Sequence, residues 1–166
     1  MSGQTSAHRA RFLPRTLIDD TSDGVLRVRR YLCQSCQRTV SLLPEFVLPY
    51  LRSSILFIAL FLLARLPHTQ TLTAAAKASM PHQRGQFWIR RFRRQAEMLC
   101  AALATLAKPA PTPDFVSRAL LLLESRGWIG AHRFLFANLR CHLLGWPRSL
   151  APAGRRVALS PAGAPA

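Results

Sequence analysis

Acidic residues are scarce in this chain, where seven Asp and Glu stand against 23 Lys and Arg among 166 residues. Two-metal phosphoryl transfer needs carboxylates that converge on the metal ions, but three of the acids share one predicted turn and the others lie in helices or at helix starts. A Ser/His/Asp arrangement and a Gly-rich phosphate loop are also missing. The sequence therefore predicts a protein that is not an enzyme. The acids are Asp19, Asp20, Asp23, Glu45, Glu97, Asp114 and Glu124.

Cysteine is equally sparse and unevenly placed, at Cys33, Cys36, Cys100 and Cys141. This spread differs from the dense framework of a small disulfide-bonded secreted protein. The first fifteen residues lack the uninterrupted apolar core of a signal peptide, although their Arg-rich, acid-poor character leaves an organelle transit peptide open. The reducing cytoplasm is the compartment that fits this cysteine usage.

Long apolar runs are absent too. The most apolar stretch, ILFIALFLLA over residues 55–64, is bracketed by Arg52 and Arg65. About 20 apolar residues are needed to cross a bilayer, so the run favours a buried core helix and argues against a membrane partner. A small basic protein anchored in the membrane through residues 51–66 stays open as an alternative.

The abundant feature is positive charge, with a formal net charge of +16. Most of it comes from Arg, whose planar guanidinium suits phosphates and base edges. Nucleic acid is therefore the first partner to expect.

The N-terminal part predicts a small antiparallel sheet. Residues 15–18 and 25–32 have strand character and are joined by a turn containing Asp23-Gly24, and residues 39–42 add a third strand. In the second strand Val28 alternates with Arg27 and Arg29, which predicts one apolar and one basic side. Residues 1–14 are expected to be disordered, and residues 15–46 to form the β segment.

Helical periodicity replaces the strand pattern after Pro44 and Pro49. Two helices are expected before a turn at Met80-Pro81-His82, and Thr71 is expected to cap the second. A long helix then places Trp88, Ile89 and Phe92 on one face. The predicted helices cover residues 51–66, 71–79, 83–107, 114–125 and 132–144. Residues 108–113 are Pro-rich and are the expected linker. The boundary between a helix-turn-helix region, 47–108, and the C-terminal helices of 109–146 falls there. Residues 147–166 are expected to be a disordered tail.

The short helix, turn and long basic helix predict a helix-turn-helix whose recognition helix covers residues 83–94. Arg and Gln near the start of such a helix can bond base edges in the major groove, while later arginines suit phosphates. The candidates for base contact are Gln83, Arg84, Gln86 and Arg90. The candidates for phosphate contact are Arg91 and Arg94, together with Arg27, Arg29 and Arg30 on the second strand.

The Cys-x-x-Cys turn at Cys33 and Cys36 predicts half of a zinc ribbon, because two thiolates at this spacing can grip one Zn²⁺. A closed site needs four ligands, and the chain has no second Cys-x-x-Cys. His8, Cys100 or the Cys141-His142 pair would have to complete it.

These segments resemble bacterial insertion-element and transposase-like proteins, including an uncharacterised bacterial domain family, in which a zinc ribbon precedes a helix-turn-helix. The resemblance spans residues 8–106 and is carried by RVRRYLCQSCQRTVSLLPEFVLPY, TLTAAAKAS and WIRRFR. It implies an N-terminal zinc ribbon, whose first Cys-x-x-Cys would precede the segment from His8 to Phe12 and is missing here. It also implies a buried aliphatic residue where Gly85 stands, so Gly85 is expected to remove a packing contact and to cost about 1 kcal/mol relative to Ala.

The sequence thus predicts a mainly α protein with a small N-terminal antiparallel β ribbon and a helix-turn-helix core. Its expected function is that of a DNA-binding module from a transposase-related protein, or a truncated remnant of one, without its own catalytic core. Double-stranded DNA is the expected partner, and a homodimer is left open. A non-functional open reading frame from GC-rich DNA is the other alternative.

Overall fold

The computed structural model describes residues 9–19, 23–32, 39–67, 70–107, 112 and 114–145. It contains a three-stranded antiparallel sheet followed by five helices, as the sequence predicts. The strands are β1 (Arg9–Ile18), β2 (Asp23–Leu32) and β3 (Thr39–Leu42). The helices are α1 (Ile55–Arg65), α2 (Thr71–Lys77), α3 (His82–Leu103), α4 (Phe115–Arg126) and α5 (Trp128–Leu139).

Strand β1 begins well before the predicted start of the sheet. Arg9 pairs with Leu32 and Ile18 pairs with Asp23, so β1 matches β2 over its full length. The prediction of disorder for residues 1–14 is therefore wrong for residues 9–14, because pairing with β2 supplies the backbone hydrogen bonds that these residues need. Pro14 is tolerated in β1 because β1 lies at the edge of the sheet, where a missing N–H is harmless. Residues 1–8 and 147–166 lie outside the described residues.

Hydrogen bonds from the C-terminal end of β1 attach the sheet to the helical part. The Ile18 N–H donates to the Arg52 carbonyl at 2.6 Å, and the Ser54 N–H donates to the Ile18 carbonyl at 3.1 Å. An Arg15 Nη2 group also donates to the Leu48 carbonyl at 3.1 Å. These bonds use backbone groups in the segment before α1. The sheet is therefore attached to the helical part at the Ile18 end of β1, and Arg9 lies at the other end.

Helix α1 begins at Ile55, four residues after its predicted start. Ser54 is the N-cap, and its hydroxyl accepts a hydrogen bond from the Phe57 N–H at 3.0 Å. The predicted cap at Thr71 is wrong: Gln70 occupies the N-cap position of α2, and the Thr71 hydroxyl accepts from Arg65 Nε at 2.6 Å. Helix α2 stops at Lys77 and is followed by Ser79, whose φ of 49° lies in the left-handed region. A four-residue turn, 78–81, then leads into α3.

The C-terminal helices differ most from their prediction. Helix α5 starts at Trp128, so residues 128–130 are helical and Gly127 alone separates α4 from α5. Gly127 has a φ of 75°, a conformation that glycine adopts without steric cost. Helix α5 ends at Leu139, because Arg140 takes the left-handed conformation and turns the chain back toward α3.

All five helices contribute to one hydrophobic core. Trp88 of α3 lies at its centre, with edge-to-face contacts to Phe57 and Phe61 of α1 at centroid distances of 6.0 and 5.6 Å. Leu143 and Leu144, which follow α5, are also buried in this core. The helix-turn-helix region and the C-terminal helices therefore pack as one body. The inner side of α3 contributes to the core that they share.

Gly85 lies where α3 packs against the Phe61 ring of α1. A Cβ placed on Gly85 would lie 2.5 Å from Cζ of Phe61 and 3.1 Å from Cε of Met80. The expectation that Gly85 removes a packing contact is therefore wrong: the Phe61 ring already fills the space where an aliphatic side chain would go.

Candidate nucleic-acid interface

Helix α3 has two distinct sides. Its inner side buries Trp88, Ile89, Phe92, Ala96 and Leu99, as the periodicity predicts. Gln83, Phe87, Arg90 and Arg94 lie along the opposite side at three- and four-residue spacing, and all four are exposed. We call these four residues the α3 stripe; Arg93 is exposed beside it.

The arginines on this side of α3 are available to a partner. Arg90, Arg93 and Arg94 form no hydrogen bond or ion pair within the part of the chain that the structure describes. The first turn of α3 also contains no acidic residue. One turn beyond Arg94 the acidic side chain of Glu97 is exposed, so the continuous basic surface ends there.

Two predicted base-contact residues lie at the margins of the stripe. Arg84 is half-buried and borders a cleft of about 510 Å³ between α1, α2 and α3. Gln86 is also half-buried, and its Nε2 lies 3.4 Å from the Nε2 of His82 one turn earlier. Gln83 and Arg90 are the members of the predicted base-contact set that are exposed.

Arg91 has a structural position that the helical wheel did not predict. Its Nε donates to the Leu144 carbonyl at 2.6 Å, and its guanidinium lies 5.4 Å from the centroid of the Phe87 ring. Burial, and then the neighbouring charge of Arg94, lower the pKa of Arg91. Arg91 therefore holds the segment after α5 against α3. This structural role distinguishes it from the other predicted phosphate contacts.

A second basic surface lies on the sheet. The register places Phe12 opposite Arg29 and Pro14 opposite Arg27, so these side chains share one face. Arg27 lies 5.5 Å and Arg29 5.8 Å from the Phe12 centroid, and Arg29 lies 5.2 Å from that of Tyr31. We call Phe12, Arg27, Arg29 and Tyr31 the aromatic–arginine row.

Arg30 is separated from the other two strand arginines. It alternates to the face that carries Val28, which is buried, and its cross-strand partner there is Arg11. Its Nη2 donates to the Thr39 hydroxyl at 2.8 Å. Arg30 therefore lies on the other face of the sheet from Arg27 and Arg29, because strand side chains alternate between the faces.

The zinc prediction falls on residues that the structure does not describe, since Cys33 and Cys36 lie outside the described ranges. Among the described residues, no three His, Cys, Asp or Glu side chains are grouped so that they could hold a metal ion. Cys100 is buried in the core, where its Sγ donates to the Phe115 carbonyl at 3.3 Å. Burial raises the pKa of the Cys100 thiol, which opposes the thiolate form that zinc requires.

A buried histidine pair was missed by the sequence reasoning. His132 Nε2 and His142 Nδ1 are 3.0 Å apart, and both residues are buried. Burial lowers the pKa of His142 to about 4, with a further lowering from His132. Burial also lowers the pKa of His132, against the opposing effects of the Glu45 carbonyl and carboxylate. Burial therefore favours the uncharged form of both rings, in which one ring can donate to the other.

The aromatic–arginine row was also missed, because Phe12 falls in the segment predicted to be disordered. A signal for it was present in the sequence. The eight strand-like residues 25–32 need partners of similar number on the other side of a hairpin turn. Asp23 and Gly24, which were predicted to belong to that turn, are part of β2 and pair with Ile18 and Leu17. Extending this pairing backward from Ile18 reaches Phe12 and places it opposite Arg29.

Neither a family model nor a curated protein nor a solved structure matches this chain. Within residues 39–67, 70–107 and 114–145, no helix combines the length and the apolar character required to cross a membrane.

Proposed function

We propose that this protein is a DNA-binding module of the transposase-related type and that it binds double-stranded DNA through the α3 stripe. The observation that carries the proposal is the two-sided structure of α3. One side is fixed in the core from Gly85 to Leu103, and the other presents Gln83, Arg90 and Arg94 to solvent. A rigid helix with exposed Arg and Gln is the element that enters the major groove in helix-turn-helix proteins.

The order of side chains along α3 supports two roles, with base contact near its start and phosphate contact further along. Gln83 lies at the start of the helix, where side chains of a recognition helix reach base edges. Arg90 lies two turns further on the same stripe, and Arg93 and Arg94 follow it. These last two suit phosphates, which supply affinity with little sequence discrimination. Glu97 would repel a phosphate, so the contact is expected to end before it.

The transposase relationship rests on the resemblance of residues 8–106, and the proposal includes no catalytic reaction. Zinc binding by Cys33 and Cys36 stays a prediction. Metal analysis of the purified chain beside a Cys33→Ser/Cys36→Ser variant tests it directly: one zinc per chain that is lost in the variant supports the prediction, and a metal-free native chain contradicts it.

The duplex proposal is tested by fluorescence anisotropy of a labelled DNA duplex with Arg90→Ala/Arg94→Ala. Each lost phosphate contact should reduce the slope of log affinity against log salt by about 1. The double variant should therefore bind more weakly, and its slope should be smaller by about 1 because Arg94 is the phosphate contact of the two. The matched control is Arg52→Ala/Arg126→Ala, which removes the same charge from exposed positions outside α3. Equal losses in the two variants would mean that net charge, and not the α3 stripe, binds DNA.

A further inference from the structure

The exposed face of the three-stranded sheet has a composition unlike that of a solvated surface. All three strands contribute apolar side chains to this face that are more than half exposed. These are Phe12 at 56%, Val25 at 70%, Val40 at 59% and Leu42 at 55%. The register confirms that they share a face, since Leu42 is opposite Arg29 and Val40 is opposite Tyr31.

We propose that this face binds single-stranded nucleic acid, with unpaired bases stacked on Phe12 and Tyr31 and with Arg27 and Arg29 contacting phosphates or stacking on the bases. The inference goes beyond the duplex binding proposed above and does not depend on it, because the sheet face and the α3 stripe share no residue. It names a second site and a different ligand.

The spacing within the row supports this ligand. Phe12 and Tyr31 stand in a diagonal cross-strand relation, which places side chains about 7–8 Å apart, and Arg29 lies within 6 Å of both rings. Aromatic rings alternating with guanidinium groups on a sheet are the means by which proteins bind unpaired bases without reading their sequence. A duplex keeps its base faces stacked on one another, so it cannot use these rings.

The charge of the face selects between the candidate occupants. Between Val25 and Tyr31 of β2, and at the positions paired with them in β1 and β3, this face carries no acidic residue, while Arg27 and Arg29 are exposed at its centre. A second copy docked through the same face about a two-fold axis would bring these arginines close to their own equivalents, where like charges repel. A polyanion with planar bases complements both the charge and the aromatic rings, of which Phe12 is exposed and Tyr31 half-buried.

The opposite face of the same hairpin provides the matched control. Arg11 is exposed and belongs to the face of Arg30 and Val28. Removing Arg11 therefore takes one positive charge from the ribbon without touching the aromatic–arginine row. Phe12→Leu is the complementary variant, because it keeps an apolar side chain on the exposed strand and removes the aromatic ring.

The experiment measures anisotropy of a labelled oligothymidylate of about 12 nucleotides, within the site sizes of single-strand binding folds. Phe12→Leu should weaken binding by about tenfold, the loss expected when one stacked base is released. Arg29→Ala should weaken it more than Arg11→Ala does. Affinity for a labelled duplex should stay the same in Phe12→Leu, and circular dichroism should show an unchanged fold.

Several results would overturn the inference. One is oligothymidylate binding by Phe12→Leu and Arg27→Ala/Arg29→Ala that equals that of the native chain. Another is an equal loss in Arg29→Ala and Arg11→Ala, which would mean that charge alone is responsible. Conversion of a native dimer to a monomer by Phe12→Leu would assign the face to self-association. Arg90→Ala/Arg94→Ala separates the two proposals: it should lose duplex and keep oligothymidylate, and a loss of both ligands would contradict a separate site.

Discussion

Gly85→Ala should destabilise this protein, although Gly to Ala in a helix normally has the opposite effect. Gly85 lies inside α3 and is buried. The added methyl would meet Cζ of Phe61 at 2.5 Å and Cε2 at 3.0 Å. Phe61 is itself fully buried and packs edge-to-face on Trp88, so its ring cannot move without disturbing the centre of the core.

The expected magnitude is the difference between two opposing effects. Alanine is favoured over glycine in a helix interior by about 1 kcal/mol. Adding a methyl to a close-packed core costs about 1–3 kcal/mol, because side chains and backbone must shift. The free energy of unfolding should therefore fall by about 1 kcal/mol, within limits of about 0–2 kcal/mol set by these two ranges. A loss of about 1 kcal/mol corresponds to about 2–4 °C in Tm for a chain of this size.

Urea unfolding followed by circular dichroism measures the effect. Gly130→Ala is the control, because Gly130 lies in the first turn of α5 and a Cβ there would meet nothing within 4 Å. It should stabilise the protein by up to about 1 kcal/mol. Phe61→Leu, which shortens the obstructing side chain, should reduce the cost of Gly85→Ala in the double variant. The reasoning is refuted if Gly85→Ala stabilises the protein as much as Gly130→Ala does.

Two further predictions concern the segment after α5. Arg91→Met removes the hydrogen bond from a charged donor to the Leu144 carbonyl, so urea unfolding should show a loss of about 1–3 kcal/mol; an unchanged midpoint would contradict the structural role of Arg91. The pKa of His142 is about 4 in the folded chain and 6.5 as its ordinary value, so the unfolded chain takes up this proton first. The contribution of uncharged His142 to the free energy of unfolding should be fully present above about pH 6.5. The free energy of unfolding should then fall by about 1–2 kcal/mol as the pH drops toward 4, after allowance for incomplete burial. His142→Phe should remove most of this dependence in unfolding curves measured against pH, and an equally steep loss in the variant would contradict the assignment.

The elements that were predicted correctly are those whose pattern lies within one stretch of the sequence. Strand β3 occupies residues 39–42 as predicted, because the β-branched Thr39 and Val40 favour a strand. The inner side of α3 was also predicted, since Trp88, Ile89 and Phe92 recur at helical spacing in a long uninterrupted segment. Such elements need no knowledge of the rest of the fold.

The errors occurred where long-range contacts decide the outcome. Residues 9–14 look irregular alone, with two arginines and Pro14 around Phe12 and Leu13, but they become a strand when β2 supplies a pairing edge. Gly127 and Gly130 together resembled a loop, whereas only Gly127 adopts a positive φ. Arg91 was grouped with the phosphate contacts because a helical wheel cannot show that Leu144 folds back onto α3.

The same limit applies to the candidate sites. The α3 stripe follows from helical periodicity alone, and most of it was predicted. The aromatic–arginine row requires the register of two strands separated by a turn, so its members are distant in the sequence and adjacent in the fold. It became visible only when Phe12 was paired with Arg29.

The central claim is that the outer side of α3 binds duplex DNA, and competition anisotropy with Arg90→Ala/Arg94→Ala tests it most directly. A labelled duplex is titrated with the native chain, with this variant and with Arg52→Ala/Arg126→Ala over a range of salt concentrations, with unrelated duplex in excess. The α3 variant alone should lose affinity, and its salt slope should be smaller by about 1 because it lacks the phosphate contact of Arg94. Native-like binding by the α3 variant, or equal losses in both variants, would contradict it.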